Sequence, residues 1–365
     1  MNKMIVANLA YRPVRSIISI IAVGVEVTLI LLIVGLALGM LDDSKQRTRG
    51  VGADVMVRPP GTSILTGFSG APMPIQIANL LREQPHVAAV SPVVAQITSG
   101  STLEAINGID LDSFQKIGGP LKYLEGGPFQ GPDSVIVDDY YASGNKVHVG
   151  STIETLNHKF TVTGIIPHGR GARRYIPIAT MQDLTGSQNK ASIFYVKLDD
   201  PNNAEAVSEQ CKTLLEGYNI MSIGQFLSLM SADNIPGLSI FINMVIGISV
   251  VVGFIVIFQS MYTAVMERTR EIGILKSLGA SKLYIMRIIL RETLMLAIAG
   301  IIFGIAVSVV ARAGIRGKWP TLPVQITWGW IFYATVIAIV GAMVGAIYPA
   351  FKAAQKDPID ALAYE

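Results

Sequence analysis

The run Glu267-Arg-Thr-Arg-Glu-Ile-Gly-Ile-Leu-Lys-Ser-Leu-Gly-Ala-Ser281 sets five charged residues between two long apolar stretches. Residues of these types suit protein recognition, with ion pairs and apolar contacts presented by one helix. Ile272, Leu275 and Leu278 are spaced by three, and Ile274 precedes Leu278 by four, so they form a helical stripe. Glu267 and Glu271 fall in the first turns and Lys276 in the last, which matches the helix dipole. Gly279 suits the position just past a helix, and Ser281 could cap the next one. The docking surface is assigned to Glu267, Arg268, Arg270, Glu271, Ile274, Leu275 and Leu278. A plain amphipathic connector is the alternative. Docking is favoured because the next apolar run follows after only a few turn residues, so force on this helix would pass straight to it.

Glu26 is the lone charge in Ile17–Met40. An ionisable group inside such a run is costly, which makes it a candidate intramembrane polar or ligand site. Thr28, Gln259, Asn243 or a second copy of the chain could partner it. A structural contact at a dimer seam, a ligand or ion contact, and a side chain reaching for the interface all remain open. His168-Gly-Arg-Gly-Ala-Arg-Arg-Tyr175 concentrates Arg170, Arg173 and Arg174, a candidate anion or partner loop. A solvated charged loop is the plainer alternative. His86, His148, His158 and His168 are scattered without metal-ligand spacing, so no metal site is expected. No nucleophile, histidine and acid cluster marks a catalytic centre. The single cysteine, Cys211, forbids an intrachain disulfide.

The elements that must carry these residues follow from composition. The 365-residue chain is 51% hydrophobic and 15% charged, with mean hydropathy +0.48, too apolar for an ordinary soluble protein. Four runs can cross a hydrocarbon core of about 30 Å: 17–40, 237–266, 282–311 and 328–350. Trp328 and Trp330 open the last, as interfacial aromatics do. The first is too long for the apolar core of a cleaved leader and reads as an anchor.

Lys and Arg gather in residues 1–16, 267–291 and the 351–365 tail, which puts both termini and the 267–281 helix on the cytoplasmic side. Arg312, Arg316 and Lys318, in a short external loop at 312–327, run mildly against this. Residues 41–236 form the external block, with 15 basic and 19 acidic residues. The basic excess therefore lies at the membrane surface, where anionic lipid favours it, and nothing suggests nucleic acid. The fold class is a membrane protein of four transmembrane α-helices, with a large mixed α/β extracytoplasmic domain inserted between the first and second. Strands are expected at 54–58, 87–94, 134–138, 159–166 and 193–197, and helices at 75–83, 179–184 and 203–215.

The 267–281 segment closely resembles the signature of the FtsX/MacB-like ABC permease family. The ending Tyr348-Pro-Ala-Phe-Lys-Ala-Ala-Gln-Lys-Asp-Pro-Ile-Asp-Ala-Leu362 resembles that family's ending. Asn8-Leu-Ala-Tyr-Arg-Pro-Val-Arg-Ser16 resembles its amphipathic lead-in helix, here residues 1–16. Residues 51–230 look like a MacB-type periplasmic core, with Gly52–Val57 and Asp133–Asp138 as cues. The resemblance implies a type VII ABC architecture in a bacterial inner membrane. Two permease chains pair, as homo- or heterodimer, and an ATPase sits under each coupling helix at 267–281.

No G-x-x-x-x-G-K-[ST] occurs in the sequence, so ATP and Mg are expected on a separate ATPase subunit and this chain is not itself an enzyme. The implied function is mechanotransmission that drives efflux or extraction of an amphiphilic, peptide or lipid-linked cargo, with or without a periplasmic adaptor. One alternative is a signal transducer acting on a cell-wall hydrolase. Gly35-Leu-Ala-Leu-Gly39 also resembles a haem-efflux subfamily, which would make haem a substrate rather than a cofactor.

Overall fold

The computed structural model describes residues 13–61, 72–99, 103–235 and 237–356. They fall into two compact units. One holds residues up to Gly39, Gly237–Gly317 and Val324 onward; the other holds Met40–Pro236 and Lys318–Pro323.

The first unit is helical. Four helices are long and apolar enough to span a membrane: α1 (Pro13–Gly50), α8 (Leu238–Glu267), α10 (Lys282–Lys318) and α11 (Trp328–Gln355). The short helix α9 (Thr269–Ser277) joins α8 to α10. Each long helix runs past the apolar stretch that reveals it. α1 continues ten residues beyond Met40, and α10 reaches Lys318, so the first seven residues of the expected 312–327 loop are helix. A helix that leaves lipid needs no apolar residues to persist, only the absence of a breaker. Leu41–Arg49 has none before Gly50. The expected lead-in helix at 1–16 lies mostly outside the described residues; its last four belong to α1.

Small residues let these helices approach closely. A Cβ on Gly300 would come within 2.6 Å of the Val23 Cβ, and one on Gly304 within 2.6 Å of the Gly24 carbonyl. Ser19 and Ser260 share a hydrogen bond at 2.6 Å between α1 and α8.

The second unit is mixed α/β. In chain order its elements are β1 (Val55–Arg58), β2 (Met73–Pro74), α2 (Ile77–Arg82), β3 (Val87–Ser99), β4 (Leu103–Ile109), α3 (Leu111–Gly118), β5 (Glu125–Gly126), β6 (Ser134–Asp138), α4 (Asp139–Asn145), β7 (Thr152–Thr155), β8 (His158–Ile166), β9 (Arg174–Pro177), α5 (Ile178–Thr185), β10 (Lys190–Ala191), β11 (Ile193–Leu198), α6 (Ala204–Leu214), β12 (Asn219–Ser222) and α7 (Ile223–Leu229).

The main sheet among the described residues runs β12-β1-β11-β3-β4-β9-β6-β8-β5, with β7 added on β8. It is antiparallel except where β9 lies parallel to β4 and β6 parallel to β8. Strand β1 reads Val-Met-Val-Arg and is wholly buried, as a strand between two neighbours should be. Phe114, Ile136 and Tyr175 anchor one core cluster, Leu81, Phe194 and Val207 a second, and Ile106, Phe160 and Met181 a third.

Candidate functional site

Helix α9 is built as a bracket. Its start is marked by a kink at Arg268, where φ is −107°, so the expected 267–281 helix is broken and Glu267 closes α8 instead. Thr269 sends its hydroxyl back to the Met266 carbonyl at 2.8 Å. Its end is a Schellman turn. Gly279 N–H donates to Lys276 O at 3.0 Å, Ala280 N–H donates to Leu275 O at 3.0 Å, and Gly279 sits at φ +92°. Ser281 Oγ then accepts from Tyr284 N–H at 3.2 Å and caps α10. Three residues, 278–280, therefore separate α9 from the cap of the next helix.

The rear of the bracket is fixed. Arg268 Nη1 donates to both carboxylate oxygens of Glu292 on α10, at 3.1 and 3.2 Å, with both side chains largely buried. Ile272 and Gly273 are buried and Leu275 is half-buried. Lys276 Nζ donates to the Ala354 carbonyl at 3.0 Å and also to the Lys356 carbonyl, which ties α9 to the end of α11. Glu267 pairs with Arg15 of α1.

The front is open. Arg270, Glu271 and Ser277 are exposed, Ile274 is 44% exposed and Leu278 81%. Their spacing of one, four, seven and eight is a single helix face. Of the seven residues assigned to docking, Arg270, Glu271, Ile274 and Leu278 lie on this open side. Arg268 and Leu275 do not, and Glu267, though exposed, closes α8 and pairs with Arg15. The apolar periodicity treated 267–281 as one helix, and the kink at Arg268 turns that guanidinium inward to Glu292.

Glu26 is 3% exposed within the helical unit. Its carboxyl fills the notch left by Gly253 of α8, where any Cβ would overlap it, and Oε1 lies 3.8 Å from the Cβ position of Gly341 on α11. Oε1 has no hydrogen-bond partner among the described residues. The expected in-chain partners are not used: Thr28 donates instead to the Gly304 carbonyl at 3.1 Å, and neither Gln259 nor Asn243 bonds to Glu26.

The arginine loop is not a free anion site. Arg173 and Arg174 are 3% and 5% exposed. Arg173 binds Asp43 and Asp138 at 3.0 and 3.2 Å, while Arg174 binds Thr155 at 3.1 Å and Thr98. Arg170 donates to the carbonyls of Gly118, Gly119 (2.9 Å) and Pro120 (3.1 Å). The arginines are spent inside the domain because the loop folds onto α1, a contact 130 positions away in sequence that no local pattern reveals. Burial pushes Asp138 up to about 6, partly offset by Arg173 and the Tyr141 N–H.

The histidines pair singly with carboxylates: His86 with Asp199, His158 with Asp133 and His168 with Asp139. Among the described residues no three His, Cys, Asp or Glu converge on a metal position. Cys211 is buried, and burial raises its thiol.

The MacB-like periplasmic core domain profile matches residues 16–214, more than half the chain, and the FtsX-like permease C-terminal profile matches residues 243–358. The chain belongs to the FtsX/MacB-like ABC transporter permease family. The permease is 23% identical to the ABC transporter permease YknZ of Bacillus subtilis (strain 168), an alignment covering 100% of this chain and 98% of that one. It is 24% identical to the macrolide export ATP-binding/permease protein MacB of Mannheimia succiniciproducens, covering 100% of this chain but only 60% of that protein's length. The crystal structure of the periplasmic region of MacB from Actinobacillus actinomycetemcomitans aligns at 20% identity and a TM-score of 0.38, over 50% of this chain and 94% of that one.

Proposed function

We propose that this permease couples ATP binding and hydrolysis by a separate ATPase subunit to movement of its external domain, and so expels or extracts an amphiphilic, peptide or lipid-linked cargo. A second permease chain completes the transporter, and α9 is the docking element on the cytoplasmic side. The observation that carries this reading is the two-sided construction of α9. Its rear is tied to α10 by Arg268–Glu292 and to α11 by Lys276, while its front leaves Ile274 and Leu278 in solvent. A helix with two uncovered apolar side chains and flanking charges suits a protein partner. A push on its face would pass into two spans through buried polar ties.

The test is Ile274→Asp with Leu278→Asp. Both positions are exposed, so the permease should fold and keep its thermal midpoint. Affinity for the cognate ATPase should fall at least about tenfold, as truncation of an interface anchor does, and transport should fall with it. Wild-type ATPase binding and coupled turnover in proteoliposomes would reject the docking face. Glu271→Gln should weaken association less, since it removes a rim charge only.

A further inference from the structure

The sequence marks 168–174 as a candidate anion or partner loop, with a solvated charged loop as the alternative. Its contacts describe something else. Its alternate residues lie along one face of the outer end of α1, running antiparallel to it. A Cβ on Gly50 would overlap the Gly169 carbonyl. Gly171 N–H donates to the Arg47 carbonyl at 2.8 Å. Arg173 Nη2 donates to Asp43 Oδ2 at 3.0 Å. Positions 43, 47 and 50 share one helix face, and an extended chain advancing two residues keeps rough pace with a helical turn.

Arg47 O is among the last four carbonyls of the helix, which have no partner within it; Gly171 supplies one. Gly169 and Gly171 have φ of +91° and +76°, a conformation that side chains resist, so the Gly-x-Gly spacing is what lets the chain lie this close.

Arg173 gathers more than the helix. Its Nη1 donates to Asp138 Oδ2 at 3.2 Å, at the end of β6, and its Nη2 donates to the Thr321 carbonyl at 3.3 Å, in the connection between α10 and α11. The guanidinium also lies 5.6 Å from the Tyr140 ring centroid. Asp138 is itself pinned, with Oδ1 accepting the Tyr141 N–H at 2.7 Å and its own N–H donating to Arg173 O at 2.8 Å. Arg47 Nε stands 3.1 Å from Asp43 Oδ2, so the buried group holds two cations and two anions. One planar fork thus grips the outward continuation of the first span, the connection between the third and fourth, and the end of a sheet strand.

We propose that the 168–174 segment is the joint through which membrane-helix motion enters the external domain, with Arg173 as its positioning residue. The proposal rests on the mechanical reading of the permease given above. Loss of Arg173 alone would strand two buried carboxylates and could unfold the domain. The informative variant is therefore the charge-neutral quadruple Arg47→Gln, Arg173→Met, Asp43→Asn, Asp138→Asn, in which Asn at 138 can still cap α4 and the Arg47 backbone carbonyl still meets Gly171. Gly50→Ala is the second variant; it forces the seam apart and leaves Arg173 intact.

Each is assembled with its ATPase in nanodiscs, and hydrogen exchange is followed without nucleotide and with ATP trapped. In the wild type, ATP should change protection both in α9 and in the segments around β6, α4 and 168–174. In the variants, nucleotide-free protection of the sheet and the α9 response should persist. The ATP response of the external domain should vanish, with transport down about tenfold at ATP hydrolysis within about twofold of wild type. A merely structural role would instead lower protection throughout the domain without nucleotide. That outcome overturns the proposal, as does a wild-type ATP response in both variants. If the wild type transports with no ATP response in its external domain, the mechanical reading itself falls, and the joint with it.

Discussion

Two carboxyls withdrawn from water show how differently this chain handles the same group. Asp138 has an arginine, a helix N-terminus and a backbone N–H, yet burial dominates and its pKa rises from 3.8 to about 6. A raised carboxyl pKa means that the folded state holds the proton more tightly. Its stabilising effect is greatest below about pH 4, declines as pH rises to about 6, and is level above. The stability difference between wild type and Asp138→Asn should therefore fall by on the order of 3 kcal/mol across that window, read from thermal unfolding of the solubilised permease at a series of pH values. A pH-independent difference would reject the assignment.

Among the described residues Glu26 Oε1 has no partner, and the carboxyl sits in a notch instead. Gly253→Ala places a methyl on its carboxyl and should cost about 1–3 kcal/mol, whereas Gly247→Ala, with nothing within 4 Å, should be neutral. Adding Glu26→Ala should recover most of the Gly253→Ala loss in a double-mutant cycle. Glu26 was legible in the sequence because it is the one charge in an apolar run. The group of Asp43, Asp138 and Arg173 was not, since its members lie 35 and 130 positions apart and only the fold brings them together.

At the scale of elements, the corner from α9 to α10 was readable residue by residue. Gly279 and Ser281 are punctuation with a local mechanism, and they occupy the turn and cap that their chemistry suits. Gly279→Ala meets no neighbour within 4 Å, so its cost is the left-handed backbone alone, roughly 1–2 kcal/mol. ATPase binding should survive it while transport per ATP falls, because the proposed docking face is untouched and the turn beyond it is distorted. Unchanged coupling would show that the corner need not be rigid. Helix ends were harder to read. Hydropathy marks where lipid stops, and α1 and α10 continue beyond that point. Strands β4 and β9 also escaped notice. Leu103–Ile109 carries Asn and Gly in its middle, and Arg174–Pro177 spans only four residues beginning at an arginine; each is held by neighbours distant in sequence rather than by its own propensity. Asp110 accepting the Ser113 N–H was a usable sign of α3.

For the whole molecule, the insertion of a sheet domain after the first of four apolar helices was legible from composition, and the order of its strands was not. Pairing β12 with β1 joins the two ends of the domain's sequence, which no local pattern encodes. The proposed orientation is open to direct labelling. In a Cys211→Ala background, Glu216→Cys should react with an impermeant maleimide on intact cells, and Ser277→Cys only after permeabilisation; the reverse pattern would invert the topology. The length of α1 carries one more consequence. Its 38 residues span about 57 Å, nearly twice the hydrocarbon core, and its only proline is its first residue. Such a rod has gearing: each degree of tilt about its Pro13 end carries Gly50 through about 1 Å. A stroke the size of a side chain at Gly50 then needs only a few degrees at Pro13, with no backbone hydrogen bond broken along the way.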